Sequence, residues 1–300
     1  MPPAPPCDTT PRTAVELYEL LDRPQLDKPV MVMALDGWID AGLAAGSAAT
    51  VILDGLDSVT VARFNAEALL DYRARRPTVH MVDGVVRGMT WPAVELRAVA
   101  DLEGKEMLML AGNEPDRSWQ SFVDAVVDLA VQFEVRLCVG LGAYPAPAPH
   151  TRNARMACSA STASLAEAGF LRASLDYPGG VQPAVEQACD ARDIPSLGLW
   201  AQVPHYAAAM PYPAASIALI ERLSSLADLS LPLGDLPSQA EKTRARLDEL
   251  ISKNPEHHAM LRQLESAYEE LDVGRMDDAP LPTGDELAAE VERFLREQDE

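Results

Sequence analysis

The run Val30–Leu35, with the sequence VMVMAL, is short and apolar. Apolar runs of this length are typical of strands that are covered on both faces, as in a parallel sheet. The Ala-rich stretch Ala41–Leu53, with spaced Leu, Val and Ile, follows it and is typical of a helix. The two segments together predict the start of an α/β fold.

A second strand–helix–strand pattern supports this prediction. Glu106–Ala111 and Val135–Leu141 are apolar strand candidates, and the helix Ser118–Phe133 between them has apolar side chains every three or four residues. Strands separated by a dozen or more residues form βαβ units, so we predict an α/β fold with a mainly parallel sheet. Further predicted strands are Ser58–Phe64, Thr78–Val82, Val94–Val99 and Pro195–Trp200, and further predicted helices are Glu67–Arg75, Pro183–Arg192 and Ala214–Leu229.

Composition excludes several classes of protein. Of the 300 residues 48% are hydrophobic and 5% aromatic, so Ala, Val, Leu, Ile and Met must build the core. The net charge of −21 argues against nucleic acid and against anionic membrane surfaces as partners, because both require clustered cations. No uninterrupted apolar run of about 18 residues occurs, so we expect no transmembrane helix.

Changes in composition along the chain predict three parts. Residues 1–12 are rich in proline and lack the regions of a signal peptide, which indicates a flexible arm on a cytoplasmic protein. Residues 13–233 form the α/β core domain, and residues 234–300 form an acidic, helical C-terminal extension. Its helix starts are predicted from Ser238 with Glu241, from Asn254 before Pro255, and from Thr283 with Glu286.

Motifs for catalysis, cofactors and metals are missing. Gly140-Leu141-Gly142 follows a strand, but the next residues are extended and no third glycine opens a helix, so it is a poor dinucleotide loop. Neither a Walker loop nor a GxSxG elbow occurs. The adjacent His257 and His258 point about 100° apart on a helix and cannot share a metal. The four cysteines match no zinc or redox spacing and are expected to be reduced thiols. We therefore assign no catalytic residue, no metal ligand and no cofactor.

The segment DGWIDAG, Asp36–Gly42, lies between the first strand and its helix. Ligands of open α/β sheets bind beyond the carboxyl ends of strands, which makes Asp36, Gly37, Trp38 and Asp40 candidate ligand residues. The alternative is structural, with Asp40 capping the helix and Trp38 covering the strand end.

Two later segments are also candidates. His150, Thr151 and Arg152 follow the strand that ends near Gly142, and they could bind an anion or form ion pairs with Asp36 or Asp40. Gly179 and Gly180 precede a helix whose free backbone N–H groups would favour an anion, although a simple turn is the alternative.

The order of these three segments resembles the proteasome assembly chaperone family in its actinobacterial branch. The segments Arg75–Pro77, Asn254–Glu256 and Glu292–Leu295 are similar to that branch as well. The resemblance covers roughly residues 13–230. It implies a three-layer α/β/α sandwich like that of nucleoside phosphorylases, without an established catalytic apparatus. It also implies self-association, with a trimer as one arrangement, and contact with proteasome core subunits.

One feature of this family is missing. Archaeal and eukaryotic members can dock through a C-terminal hydrophobic-tyrosine-X tail, whereas this chain ends with Arg296–Glu300. Three hypotheses remain open. The protein is a non-enzymatic assembly or scaffold protein, or it is an enzyme (a small-molecule enzyme on a nucleoside-phosphorylase-like fold, or an ATP-dependent carboxylate–amine ligase), or the motifs only stabilise the fold.

Overall fold

An eight-stranded sheet forms the middle layer of the fold in a computed structural model of the chain. The structure describes residues 17–37, 39–166 and 176–273. A separate two-stranded hairpin is formed by β4 and β5. The strands are β1 (Tyr18–Leu20), β2 (Val30–Asp36), β3 (Ser58–Phe64), β4 (Thr78–Val82), β5 (Val85–Thr90), β6 (Val94–Ala100), β7 (Glu106–Asn113), β8 (Leu137–Ala146), β9 (Met156–Ala160) and β10 (Ser196–Pro204). The helices are α1 (Ala44–Gly55), α2 (Ala66–Leu69), α3 (Trp119–Gln132), α4 (Ala163–Ala166), α5 (Val181–Asp190), α6 (Pro213–Ala227), α7 (Leu236–Ser252) and α8 (Pro255–Val273).

The strand order in the sheet is β1-β3-β6-β7-β2-β8-β10-β9. The four neighbouring strands β7, β2, β8 and β10 are parallel, and the outer strands pair antiparallel. Five strands therefore run in one direction, since β3 has the same direction as β2. The prediction of an α/β fold with a mainly parallel sheet is confirmed.

Helices cover both faces of the sheet, which confirms the three-layer arrangement. Side chains alternate between the faces along β2, so that Val30 and Val32 join one apolar cluster while Met31 and Met33 join the other. The first cluster contains residues of α1, α6 and α7, and the second contains residues of α3 and α5. The run VMVMAL is apolar throughout because both of its faces are buried.

Some boundaries differ from the sequence prediction. A turn of 3-10 helix at Ala41–Leu43 precedes α1, because Gly42 and Leu43 have left-handed backbone conformations with φ of 66° and 52°. The helix α7 begins at Leu236 and not after Ser238, because the buried Leu236 anchors its first turn in the core. The strands β1, β5 and β9 and the short helix α4 have no counterpart in the sequence prediction. Ala, Cys and Ser dominate β9 and favour strands weakly.

The C-terminal extension contributes two described helices. Asn254 Oδ1 accepts the backbone N–H of Glu256 at 2.9 Å, which confirms the predicted start of α8. Leu236 and Leu247 of α7 belong to the core cluster that also contains α6. The predicted Pro-rich arm, Trp38, the helix start at Thr283, Glu292–Leu295 and Arg296–Glu300 all lie outside the described residues. No helix within the described part is long and apolar enough to cross a membrane.

Candidate functional site

The carboxyl ends of the parallel strands β2 and β7 meet at Asp36. Its Oδ2 accepts a hydrogen bond from Asn113 Nδ2 at 3.4 Å, and its backbone carbonyl accepts the N–H of Glu114 at 2.9 Å. Arg75 Nη1 also donates to this carbonyl at 3.4 Å and forms an ion pair with Asp116 at 3.2 Å. Asp36 itself is exposed, so its side chain borders solvent at the strand-end edge.

Asp40 caps the first helix. Its two carboxylate oxygens accept the backbone N–H groups of Ala45 at 2.8 Å and Gly46 at 2.9 Å. The preceding turn of 3-10 helix places these donors five and six residues away, beyond the spacing of an ordinary cap. Burial raises the pKa of Asp40 above its ordinary value, against the lowering effect of the two hydrogen bonds. The geometry agrees with the structural alternative for this residue.

A buried carboxylate that sequence reasoning overlooked joins two of the predicted segments. Glu114 Oε1 accepts the N–H of Val181, the first residue of α5, at 2.6 Å. A Cβ atom on Gly37 would lie 2.5 Å from Glu114 Oε2, and one on Gly180 would lie 2.6 Å from Oε1. The two glycines therefore leave space for Glu114. The N-terminus of α5, predicted to attract an anion, already holds this internal carboxylate. Gly179 is in looser contact, with Pro183 3.9 Å from its Cβ position.

His150 lies in a buried seam between the core and α7. Its side chain has no exposed surface, its Nδ1 is 2.8 Å from the hydroxyl of Tyr206, and its Nε2 is 3.0 Å from Asp248 Oδ1. The Tyr206 hydroxyl also accepts the backbone N–H of His150 at 2.9 Å. All these groups are satisfied when Tyr206 donates to Nδ1 and Nε2–H donates to Asp248. Burial raises the pKa of Tyr206 above its ordinary value.

Thr151 and Arg152 extend this seam to α8. Thr151 donates its hydroxyl hydrogen to Glu265, and Arg152 forms ion pairs with Glu265 at 3.3 Å and Glu269 at 2.6 Å. Nearby, the guanidinium of Arg155 stacks 3.6 Å from the ring centre of Tyr268. Arg152 is thus paired with acids of the C-terminal extension and not with Asp36 or Asp40. The predicted segments form two separate arrangements, one around Glu114 and one beneath α7 and α8.

Within the part of the chain that the structure describes, His, Cys, Asp and Glu form no group of three or more that could hold a metal ion.

Comparisons with known proteins agree with this fold. The model of the PAC2 family matches residues 34–251. The chain belongs to the PAC2 family. A Corynebacterium glutamicum protein of unknown function is 35% identical, with 86% of this chain and 99% of that chain covered and a TM-score of 0.82. No protein among the curated ones matches.

Two further solved structures confirm the resemblance to the actinobacterial proteasome assembly chaperone family. A Mycobacterium tuberculosis proteasome-assembly chaperone homologue is 33% identical, with 78% of this chain and 99% of that chain covered and a TM-score of 0.71. A PAC2 family protein from Streptomyces avermitilis has the same identity and coverage, with a TM-score of 0.70.

Removing the buried carboxylate should weaken the start of α5 in this PAC2-family chain. We expect Glu114→Ala to lower the free energy of unfolding by about 1–3 kcal/mol, because the N–H of Val181 loses its acceptor. Hydrogen exchange should accelerate at the first turn of α5. Glu106→Ala, at an exposed position of β7, is the control. Unchanged exchange at Val181 would contradict the capping role.

Proposed function

We propose that this protein is a non-enzymatic, proteasome-assembly-chaperone-like protein that acts in the cytoplasm through protein–protein contacts. Membership of the PAC2 family and the 33% identity to a proteasome-assembly chaperone homologue support this role. We also propose that it self-associates, with a trimer as one arrangement, and that its further partners are proteasome core subunits. The observation that carries the proposal is an exposed apolar hairpin.

The hairpin β4–β5 projects its apolar side chains into solvent. Val79 faces Met89 and Met81 faces Val86 across the two strands, and these four side chains are 45–61% exposed. Cross-strand neighbours share one face of a hairpin, so these two pairs form an apolar patch. Two-stranded hairpins are marginally stable in water, and exposed apolar strands favour association. The apolar face is therefore best explained as a contact surface.

A second copy of the same chain is the partner that fits this surface. Arg73 and Arg76 precede the hairpin and Arg87 lies on β5, and all three are exposed. A chain with a net charge of −21 offers an acidic surface to these arginines, and complementary charge orients association. At the base of the hairpin, the ring centres of Tyr72 and Trp91 are 5.1 Å apart in an edge-to-face arrangement. This contact stabilises the base of the hairpin.

The contacts of the motif residues favour this proposal over the enzyme hypothesis. A small-molecule enzyme, or a carboxylate–amine ligase, would need His150 and Arg152 to meet substrate. His150 is instead buried against Tyr206 and Asp248, and Arg152 is paired with two glutamates of α8. These contacts also match the hypothesis that the motifs stabilise the fold.

Self-association can be tested with matched aspartate substitutions. We expect light scattering to give the native chain a mass that is a multiple of the monomer, and Val86→Asp to reduce it to the monomer, because a charge in an apolar contact is poorly solvated. Val59→Asp is the matched control, since Val59 on β3 is 55% exposed and Val86 is 56% exposed. A monomeric native chain, or an unchanged mass for Val86→Asp, would refute the hairpin interface.

The proteasome role has its own test. The tagged protein should co-purify with proteasome α subunits from its native host, and Val86→Asp shows whether the hairpin is needed. Normal proteasome assembly in a deletion strain would refute the chaperone role and leave the oligomer result intact.

A further inference from the structure

Glu186 of α5 is a buried acid that has no charged partner among the described residues. It is 6% exposed, its Oε1 accepts Gln182 Nε2 at 3.1 Å, and its Oε2 accepts the Ser159 hydroxyl at 2.9 Å. Two other buried acids are stabilised differently. Asp101 accepts three backbone N–H groups, and Glu114 accepts one at a helix N-terminus. Glu186 has only neutral side-chain donors, which stabilise a negative charge less well.

Within residues 17–37, 39–166 and 176–273, no cationic side chain acts on the carboxylate of Glu186. Burial raises its pKa to about 7, against the lowering effect of Ser159 and Gln182. The charge of Glu186 acts to raise the pKa of four described side chains, and all four are acids. They are Tyr177 before α5, Cys138 on β8, Cys158 on β9 and Cys189 on α5. No ion pair of Glu186 occurs among the described residues. Burial of a carboxylate without a cation is unfavourable, and such groups concentrate at binding sites.

An indole ring lies flat on the sheet beside this carboxylate. A Cβ atom on Gly142 would be 2.4–3.0 Å from three ring carbons of Trp200, so the ring can only lie there because β8 has a glycine. Trp200 Nε1 donates to Ser159 Oγ at 3.1 Å, and the same hydroxyl donates to Glu186. One face of the ring covers β8 at Gly142.

This cluster reaches the protein surface. Trp200, Ser159 and Gln182 are half-buried, and Tyr177, just before α5, is 44% exposed. On the opposite face of the sheet the same strands carry only buried apolar side chains, such as Leu141, Leu199 and Ala201. The polar and aromatic side chains of this cluster thus lie on the face beneath α5, over Gly140 and Gly142 of β8 and Gly198 of β10.

We propose that Glu186, Gln182 and Trp200 form a binding site for a small organic cation, an alkylguanidinium or alkylammonium. An N–H group of the cation takes the place of the Gln182 amide at Glu186 Oε1 and supplies the missing positive charge. The Trp200 indole attracts the cation through its π electrons. The site binds its ligand without any covalent step, and it is independent of the hairpin and of self-association.

Calorimetry on the full-length protein at pH 7.5 tests the site with n-butylguanidinium, n-butylammonium and the neutral analogue n-butylurea. We expect saturable one-site binding of at least one cation and none of the urea. Glu186→Gln, which keeps the size and hydrogen bonding of the side chain, should weaken binding at least about tenfold, because a charged hydrogen bond is lost. Trp200→Leu should weaken it as well, and Glu106→Gln on β7 is the control.

A second readout separates binding from a merely structural role. At pH 6.5 the cation should release protons, because it favours the ionised form of Glu186, and the observed heat should then depend on the ionisation enthalpy of the buffer. Glu186→Gln should abolish this dependence. Lack of saturable binding by both cations, equal binding of n-butylurea, or unchanged affinity in folded Glu186→Gln would each overturn the proposal.

Discussion

Glu186→Gln is expected to flatten the pH dependence of stability and to make the protein more stable than the native chain at pH 8. Burial raises the pKa of Glu186 from 4.5 to about 7 in the folded state. The folded protein therefore retains a proton that the unfolded chain has released between these pH values. The associated stability is present below pH 4.5 and is lost as the pH rises through 7.

The size of this effect follows from the shift. One pKa unit corresponds to about 1.4 kcal/mol, so the native chain should lose about 2–3 kcal/mol between pH 5 and pH 8 through Glu186 alone. Glutamine has no proton to release, and the Ser159 hydroxyl can accept from its amide instead of donating. Burial also raises the pKa of Asp40, but Asp40 is present in both proteins and its contribution cancels in the comparison.

Urea unfolding at several pH values between 5 and 8 measures this difference. Glu106→Gln, at an exposed position, should follow the native curve within about 0.5 kcal/mol. If the free energy of unfolding varies with pH in parallel for the native chain and Glu186→Gln, Glu186 is ionised, or equally solvated, in the folded and the unfolded state. That result would also remove one support of the cation site without bearing on the hairpin.

His150→Ala is expected to cost about 2–4 kcal/mol and to loosen α7 and α8. The imidazole is fully buried between Tyr206 and Asp248, so its removal leaves a cavity and deprives the hydroxyl of the half-buried Tyr206 of its acceptor. Hydrogen exchange should accelerate around Asp248 in α7. In a double-mutant cycle, His150→Ala and Asp248→Ala should be non-additive, because the two side chains share one hydrogen bond.

Arg152→Ala is the informative contrast. Its ion pairs with Glu265 and Glu269 are largely solvated, with side-chain exposures of 35%, 25% and 63%, so the substitution should cost about 1 kcal/mol or less. In double-mutant cycles, the changes in the free energy of unfolding should be coupled for substitutions of Arg152 and Glu265. They should be additive for substitutions of Arg152 and Asp36. A larger loss for Arg152→Ala than for His150→Ala would contradict the seam as described. So would coupling of Arg152 to Asp36.

The strongest parts of the sequence prediction came from buried, regular segments. Burial on two faces of a strand, or along one stripe of a helix, dictates which positions are apolar. The sequence pattern therefore predicted the strands Val30–Leu35 and Glu106–Ala111 and the helix Ser118–Phe133. The hairpin strand β5 was missed for the opposite reason. Its side chains are exposed within this chain, so no burial pattern of the fold constrains it.

In the candidate site, local sequence features indicated some of the residues but not their partners. The sequence drew attention to Gly37, Gly180 and His150 because unusual residues followed strands or preceded a helix. Their partners are distant along the chain. Glu114 is 67 residues from Val181, and His150 is 98 residues from Asp248. A glutamate in the loop after β7 gave no local sign of burial, although its place at a strand end was visible.

The sequence by itself determined the acidic character. It also predicted the α/β class and a division into an arm, a core and a helical extension. These properties depend on composition and on local periodicity. Only the tertiary structure decided that His150 and Arg152 bind α7 and α8, that Glu114 occupies the start of α5, and that Glu186 has no cationic partner among the described residues. Whether a carboxylate is solvated, paired or isolated depends on which distant backbone and side-chain groups surround it, and folding alone brings those groups together.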